Sequence, residues 1–308
     1  MQTPSAPLHG LRKLFRSLYH LRVLRTRKRE RMPLRLHLKA RQQKLTQEAK
    51  RDWRGGYILT GAGDFVYVPR QLDITTVERL VHAEPAPEPI IPKVCPPGGT
   101  VMDVGANLGD WSLPMAKAVG ATGRLYAFEP VPFLAEGLAK TLQVNGLAHG
   151  RVSDLALSDS IGEAAFTIAH DDSELLNVRC SSLTADVGKG TRTTVKTTTL
   201  DAFCVNENLE RLDFIKIDVE NHEPAVIRGG AGVISRFQPA IVFEAGHWEE
   251  KPEDRESIRD TLEPLGYRIA GILIEHGIVE TDWDTYLGFE DPFMKEFYCN
   301  VLCLPSRS

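Results

Sequence analysis

Acidic residues closing short apolar runs are the most chemically suggestive feature of this 308-residue chain. The first such run ends in Asp103-Val104-Gly105-Ala106-Asn107-Leu108-Gly109-Asp110, and a helix-like segment follows at once. Gly105 and Gly109 let backbone approach a ligand closely and let the helix press against the strand. The spacing is GxxxG and lacks the GxGxxG turn that holds a nucleotide pyrophosphate at a helix N-terminus. A ligand without phosphate suits it, with Asp103 placed to meet a cationic amino-acid portion; otherwise the segment is only a Gly-rich strand-to-helix turn. Glu129 closes the second run, Leu125-Tyr126-Ala127-Phe128-Glu129-Pro130. A carboxylate there can accept from both hydroxyls of a ribose, although alone it would be a solvated loop acid. The third run ends in Ala156-Leu157-Ser158-Asp159. Ser158 and Asp159 there reach an adenine edge or simply form a turn.

The fourth run is the densest: Asp213-Phe214-Ile215-Lys216-Ile217-Asp218-Val219-Glu220-Asn221-His222-Glu223. Strand alternation sets Ile215, Ile217 and Val219 on one face and Lys216, Asp218 and Glu220 on the other. Strands buried on both faces avoid charge, so these residues need a purpose or a partner. His222, whose side chain ordinarily titrates near neutrality, is the natural proton acceptor. The alternative is structural, with Lys216 and Asp218 paired and His222 capping the next helix.

These residues require elements that bring the strand ends together. Beyond Gly99 the sequence predicts strands at Thr100–Val104, Leu125–Phe128, Val152–Leu157, Phe214–Val219, Ala240–Glu244, Tyr267–Ile272 and Tyr298–Leu302. It predicts helices near Asp110–Ala118, Pro132–Val144, Pro224–Ser235 and Arg255–Leu265. Such alternation defines an α/β fold with a mostly parallel sheet and helices on both faces, and open sheets of this kind build sites at the carboxyl ends of their strands. Strand-like pieces at Ala164–Ile168 and Thr193–Thr199 point to a β insertion. Tyr57–Leu59 and Phe65–Val68 read as a hairpin around Gly61-Ala62-Gly63-Asp64, followed by a helical stretch at Ile74–Ala83 and a Pro-rich linker at Pro85–Pro97.

The charge is unevenly distributed. Residues 1–54 hold 16 Lys/Arg against 3 Asp/Glu, a net +13, and residues 55–308 hold 21 against 38, a net −17. The two parts therefore suit different partners. Leu11, Leu14, Phe15, Leu18, Leu21 and Leu24 recur at helical spacing in a basic amphipathic pattern; Met32-Pro33 should interrupt it, and residues 34–52 could form a second helix. The organisation expected is a basic helical arm (1–54), a hairpin, helix and linker (55–97), and a catalytic domain (98–308). Five cysteines without a CxxC pair argue against a disulfide framework and a structural zinc site. No apolar run reaches the ~18 residues of a membrane span and no export signal is legible, so a cytoplasmic protein, peripheral to a membrane at most, is expected.

From about Thr100 to Glu244 the chain resembles the FkbM family of methyltransferases. The motifs are Asp-Val-Gly-Ala-Asn-x-Gly at 103–109, Phe-Glu-Pro at 128–130, Ala-Leu-Ser-Asp at 156–159, Thr-Leu-Asp at 199–201, Asp-Phe-Ile-Lys-Ile-Asp-Val-Glu at 213–220, His-Glu at 222–223 and Pro-Ala-Ile-Val-Phe-Glu at 239–244. The resemblance implies a Rossmann-like, doubly wound, seven-stranded methyltransferase sheet, S-adenosyl-L-methionine as cofactor, and O-methylation, often of sugars or polyketide-like products. It implies cofactor contacts at Asp103, Gly105, Asn107, Gly109, Glu129, Ser158 and Asp159. The family pattern has Gly where this chain has Asn221, and Asn tolerates positive φ.

An alcohol needs a base, for which the candidate is His222, oriented by Glu220 or Glu223, with Asp218 lining the cofactor or acceptor. An acceptor with two neighbouring oxygens could instead be held by a divalent metal on Asp218, Glu220 and Glu244, although no residue spacing demands one. The expected partner is a small-molecule or glycan hydroxyl acceptor. RNA is a rival acceptor, favoured by the +13 arm but disfavoured by its few aromatics. A nicotinamide oxidoreductase is opposed by the missing GxGxxG. In a non-catalytic reading, the arm docks on an anionic membrane surface or a protein partner.

Overall fold

The protein is described by a computed structural model that covers residues 28–72, 74, 77, 90–169, 183, 190–245, 251–274, 277–288 and 299–306. It divides into two units, Met1–Asp52 and Trp53–Ser308. The amphipathic pattern at 11–24 and most of Ile74–Ala83 lie outside the described residues.

In the first unit α1 runs Lys28–Arg51. Met32-Pro33 does not interrupt it. The Leu, Lys, Arg, Gln and Ala residues that follow are strong helix formers and carry the helix on.

The second unit opens with the hairpin of β1 (Gly56–Leu59) and β2 (Phe65–Val68). A short α2 (Ile91–Val94) follows, lying within the expected Pro-rich linker; Pro92 is accepted in its first turn, and Ile91 and Val94 bury themselves in the core. The main sheet uses β3 (Thr100–Val104), β4 (Arg124–Phe128) and β5 (Gly150–Ser153). A separate three-stranded sheet contains β6 (Ala156–Leu157), β7 (Gly162–Ala169) and β8 (Gly190–Thr198), in the order β6-β8-β7. The main sheet continues with β9 (Phe214–Ile217), β10 (Ala240–Ala245), β11 (Tyr267–Ile274), β12 (Gly277–Val279) and β13 (Cys299–Pro305). Its order is β12-β11-β13-β10-β9-β3-β4-β5. The strands from β5 to β10 along this order are parallel, and β13 enters antiparallel between β10 and β11. The short β12 adds an eighth strand to the seven expected, as a hairpin edge on β11.

Alternation along the buried strands sorts two cores. Val101, Phe214 and Val242 pack with α3 (Ser112–Val119) and α4 (Pro132–Val144) through Leu113, Met115, Leu134 and Leu138. Met102, Ile215, Ile241 and Phe243 pack on the opposite face with α5 (Leu200–Asn206), α6 (Glu223–Gly229), α7 (Ala231–Phe237) and α8 (Pro252–Leu262). A last short helix, α9 (Trp283–Leu287), adds Trp283 and Tyr286 to this second core. The hairpin joins the first core through Val66 and Val68. It is pinned to α4, where the Asn145 amide bonds both the N–H and the carbonyl of Phe65 and the Tyr67 N–H donates to Thr141 Oγ1 at 2.8 Å. Among the described residues no helix is long and apolar enough to cross a membrane.

Three further sequence expectations change. Val152–Leu157 is not one strand: the chain leaves the main sheet at Asp154-Leu155, and Ala156-Leu157 pairs with β8 instead. The strand expected at Phe214–Val219 ends at Ile217, because the chain turns through left-handed conformations at Glu220 (φ 54°) and Asn221 (φ 72°). The helix expected at Pro224–Ser235 divides at Gly229-Gly230. A Cβ on Gly229 would stand 2.1 Å from the Ser158 carbonyl oxygen, so the glycine lets α6 press on the end of β6.

Candidate functional site

The site is assembled at the carboxyl ends of β3, β4 and β9, where the strand order reverses direction around β3 and where open α/β sheets leave a crevice. After β3 the chain folds back so that the N–H groups of Gly105 and Ala106 both donate to the Phe128 carbonyl. Gly105 takes φ +83°, and a Cβ there would lie 1.7 Å from the Asp218 carbonyl oxygen. Gly109, at φ +99°, lets the start of α3 approach Leu138, whose Cδ1 would be 2.6 Å from an added Cβ. Only glycine serves at either position.

Asp103 and Glu129 flank this turn. Asp103 is 2% exposed and accepts a 2.5 Å hydrogen bond from Ser112 Oγ. Burial pushes its carboxyl up to about 6, against the downward pull of Ser112 and Lys216, with Asp218 and Asp110 adding to the rise. Glu129 is 5% exposed and receives one backbone N–H on each oxygen, Asn107 on Oε2 and Val131 on Oε1, both at 2.9 Å. Its carboxyl is pushed up to about 7 by burial, with the two N–H donors opposing. Asn107 itself adopts φ 47°, which turns its N–H toward that carboxylate. Asp103, Gly105, Asn107, Gly109 and Glu129 thus lie on the turn after β3 and at the end of β4, joined by the Asn107–Glu129 bond.

Ser158, Asp159 and His222 form a second group. His222 Nε2 lies 2.9 Å from Ser158 Oγ, and Asp159 is paired with Arg228 of α6 at 2.7 Å. Burial holds the imidazole below its ordinary value, opposed by Asp159 and aided by Arg228, so the ring is neutral at pH 7. His222 occupies the position before α6, yet its side chain does not cap that helix. The orienting partner is Ser158. Glu223, named as an orienter from sequence, is buried and accepts the Val219 N–H at 2.8 Å, bracing the turn that carries Glu220.

A third group lies at the ends of β9 and β10. Lys216 is fully buried; its Nζ is 3.1 Å from Asp218 Oδ2 and 3.2 Å from the Ile217 carbonyl, and it stands over the Trp111 ring. The pairing of Lys216 with Asp218, the structural alternative, is therefore realised. Asp218, Glu220 and Glu244 each bring an oxygen within 4.8 Å of the others. That spacing lets carboxylates share a proton or hold one hard divalent cation. Burial and then Asp218 push Glu244 up to about 10, with Lys216 opposing. Ser112 and Arg228 were not singled out in the sequence. A Ser in a helix's first turn and an Arg 69 residues from its partner carry no local signal.

A sheet in this order, with acids closing β3 and β4 around a glycine turn, has the arrangement expected of an FkbM-type methyltransferase domain. The model of the methyltransferase FkbM domain matches residues 103–269, more than half of the chain, and the chain belongs to that family. No curated protein matches the sequence. Similar solved structures include an FkbM methyltransferase from Methylobacillus flagellatus (14% identity, TM-score 0.42, 73% of this chain and 52% of that one). This chain thus spans about half of that protein. Others are an S-adenosylmethionine-dependent O-methyltransferase from Thermotoga maritima (13%, TM-score 0.38, 83% and 79%) and Aeropyrum pernix fibrillarin with bound S-adenosyl-L-methionine (12%, TM-score 0.38, 68% and 68%). The residues present fit the cofactor: two buried acids held above the usual carboxylate range gain from an ammonium group and from hydroxyl donors, and each Glu129 oxygen keeps a second lone pair for a diol.

Proposed function

We propose that this methyltransferase acts on a hydroxyl of a sugar, a glycan or another hydroxylated natural product. The observation that supports the reading is the convergence of Asp218, Glu220 and Glu244 beside the Gly105 turn. Carboxylates grouped there accept hydrogen bonds from several hydroxyls at once, as a polyol offers. When bound, S-adenosyl-L-methionine supplies a sulfonium methyl that passes in line to oxygen, breaking C–S and forming C–O. Asp103 holds the amino-acid portion and Glu129 the ribose. Asp218 and Glu220 orient the acceptor, and His222 takes its proton. In the neutral tautomer whose Nε2–H donates to Ser158 Oγ, His222 presents Nδ1 as its one basic atom.

A divalent cation on Asp218, Glu220 and Glu244 would hold two neighbouring acceptor oxygens by the same geometry. The test is transfer of labelled methyl to a panel of saccharides, glycolipids and hydroxylated macrolides, with and without Mg2+ or EDTA, beside total RNA. Alkali-stable label in the carbohydrate or macrolide fraction supports the reading. Label confined to RNA contradicts it.

A further inference from the structure

Lys216 is the most deeply buried charge of the site, and the pair it makes with Asp218 does not exhaust what it touches. It is the middle residue of a row that crosses three strands. In the β3–β9 register Lys216 stands directly opposite Asp103, and in the β9–β10 register it stands opposite Val242, two residues before Glu244. Directly paired residues of neighbouring strands point to the same face, so Asp103, Lys216, Asp218 and Glu244 share the face that carries Phe214, Val242 and α3. The Lys216 ammonium pairs with Asp218 at 3.1 Å and also acts electrostatically on Asp103, holding that carboxyl down. A fully buried lysine is costly unless its charge is matched. Here its carboxylates are not interchangeable: Asp103 is sealed at 2% exposure, whereas the Asp218 side chain is 34% exposed.

We propose that Lys216 is a positioning residue through which the cofactor-binding Asp103 and the acceptor-side Asp218 compete for one buried positive charge. The inference rests on the cofactor reading above and deepens it. Neutralising Asp218 removes its repulsion of Asp103 and leaves the Lys216 charge less offset there, which favours the anionic form of Asp103. Removing Lys216 does the reverse. The charged and titratable groups around Asp103 are Cys95 of α2, Asp110, Glu129, Lys216 and Asp218. Of these Lys216 is the cation, so it carries the attractive part of the balance.

The test needs no acceptor. S-adenosylhomocysteine affinity is measured by calorimetry from pH 5 to 8.5 on the full chain and on Lys216→Met and Asp218→Asn, each checked for folding by its thermal transition. If Asp103 must be anionic to hold the ligand's ammonium, affinity declines as pH falls through its titration. Lys216→Met should move that decline up by about one pH unit and weaken binding about three-fold at pH 6.5 and close to ten-fold at pH 5, since a unit of pKa is a factor of ten once both forms are mostly protonated. Asp218→Asn should move it down. Opposite displacements are what a merely structural lesion does not produce. Superimposable profiles, or displacement of both variants in one direction, overturn the proposal. Should Lys216→Met fail to fold, Asp218→Asn alone still decides, because an unchanged or raised decline contradicts it. Wild type that binds no S-adenosylhomocysteine at any pH overturns the cofactor reading, and this inference with it.

Discussion

The Cα of Gly105 sits so close to the end of β9 that a Cβ would be 1.7 Å from the carbonyl oxygen of Asp218. The turn after β3 and the carboxylate-bearing end of β9 are therefore in backbone contact. Gly105→Ala must move one of them and also hold alanine at φ +83°. We expect it to lose about 2 kcal/mol or more of stability and to bind S-adenosylhomocysteine at least ten-fold more weakly. Denaturant titration and calorimetry check both, and a variant with wild-type affinity would show that the turn has room to relax.

Glu129→Gln keeps shape but presents an N–H2 where a backbone N–H now donates. One of the two donors, Asn107 or Val131, then faces another donor. The loss of a charge-assisted bond is about 1.5–3 kcal/mol, so ligand affinity should fall ten- to hundred-fold in a calorimetric titration.

Stability without ligand should decline as pH rises. Burial pushes Glu129 up to about 7 and Glu223 up to about 8, above the unfolded value near 4.5. The folded state then binds more protons than the unfolded state between roughly pH 4.5 and 8, and stability falls with pH across that window. Thermal melts should therefore give a lower Tm at pH 8 than at pH 5.5. Glu223→Gln should flatten the slope, and a Tm that rises over this range would contradict the burial of these acids.

His222→Gln should reduce turnover about a hundred-fold or more while leaving S-adenosylhomocysteine affinity within a few-fold. Wild-type turnover should rise with pH to a plateau whose midpoint lies below 6.5, because burial lowers this imidazole and only its neutral form accepts a proton. Turnover that survives the substitution with an unaltered profile would transfer the base role to the Asp218, Glu220 and Glu244 group.

Residues 53–308 form a compact unit apart from residues 1–52. A chain beginning at Trp53 should keep its thermal transition and its ligand affinity. If the basic arm is the docking element, the same chain should lose co-sedimentation with phosphatidylserine vesicles that the full chain shows. Equal sedimentation of the two would remove that role.

Much of this architecture was legible because parallel strands buried on both faces leave continuous apolar runs, and because acids and glycines stand at their ends. Thr100–Val104 and Pro132–Val144 have the expected limits. What was illegible depended on tertiary contact. The departure of Ala156-Leu157 to a second sheet follows from a partner, β8, lying some forty residues later. The break between α6 and α7 follows from Gly229 meeting the Ser158 carbonyl. Pro33 reads as a stop in isolation, yet the helix formers that follow it carry α1 on to Arg51. In the site, Asp103 and Glu129 stand at the strand ends where their positions along the chain put them. The neighbours that tune Asp103, Ser112 and Lys216, are set by packing between elements, as is the bond between Ser158 and His222.

The most direct test of the cofactor site is calorimetric titration of the purified protein with S-adenosylhomocysteine at pH 7.5, repeated on Asp103→Ala and Glu129→Ala. Micromolar binding by wild type, lost in both variants while their folding transitions persist, is the predicted result. Wild type that folds and binds nothing, or variants that bind as wild type does, would contradict a cofactor site built on Asp103 and Glu129.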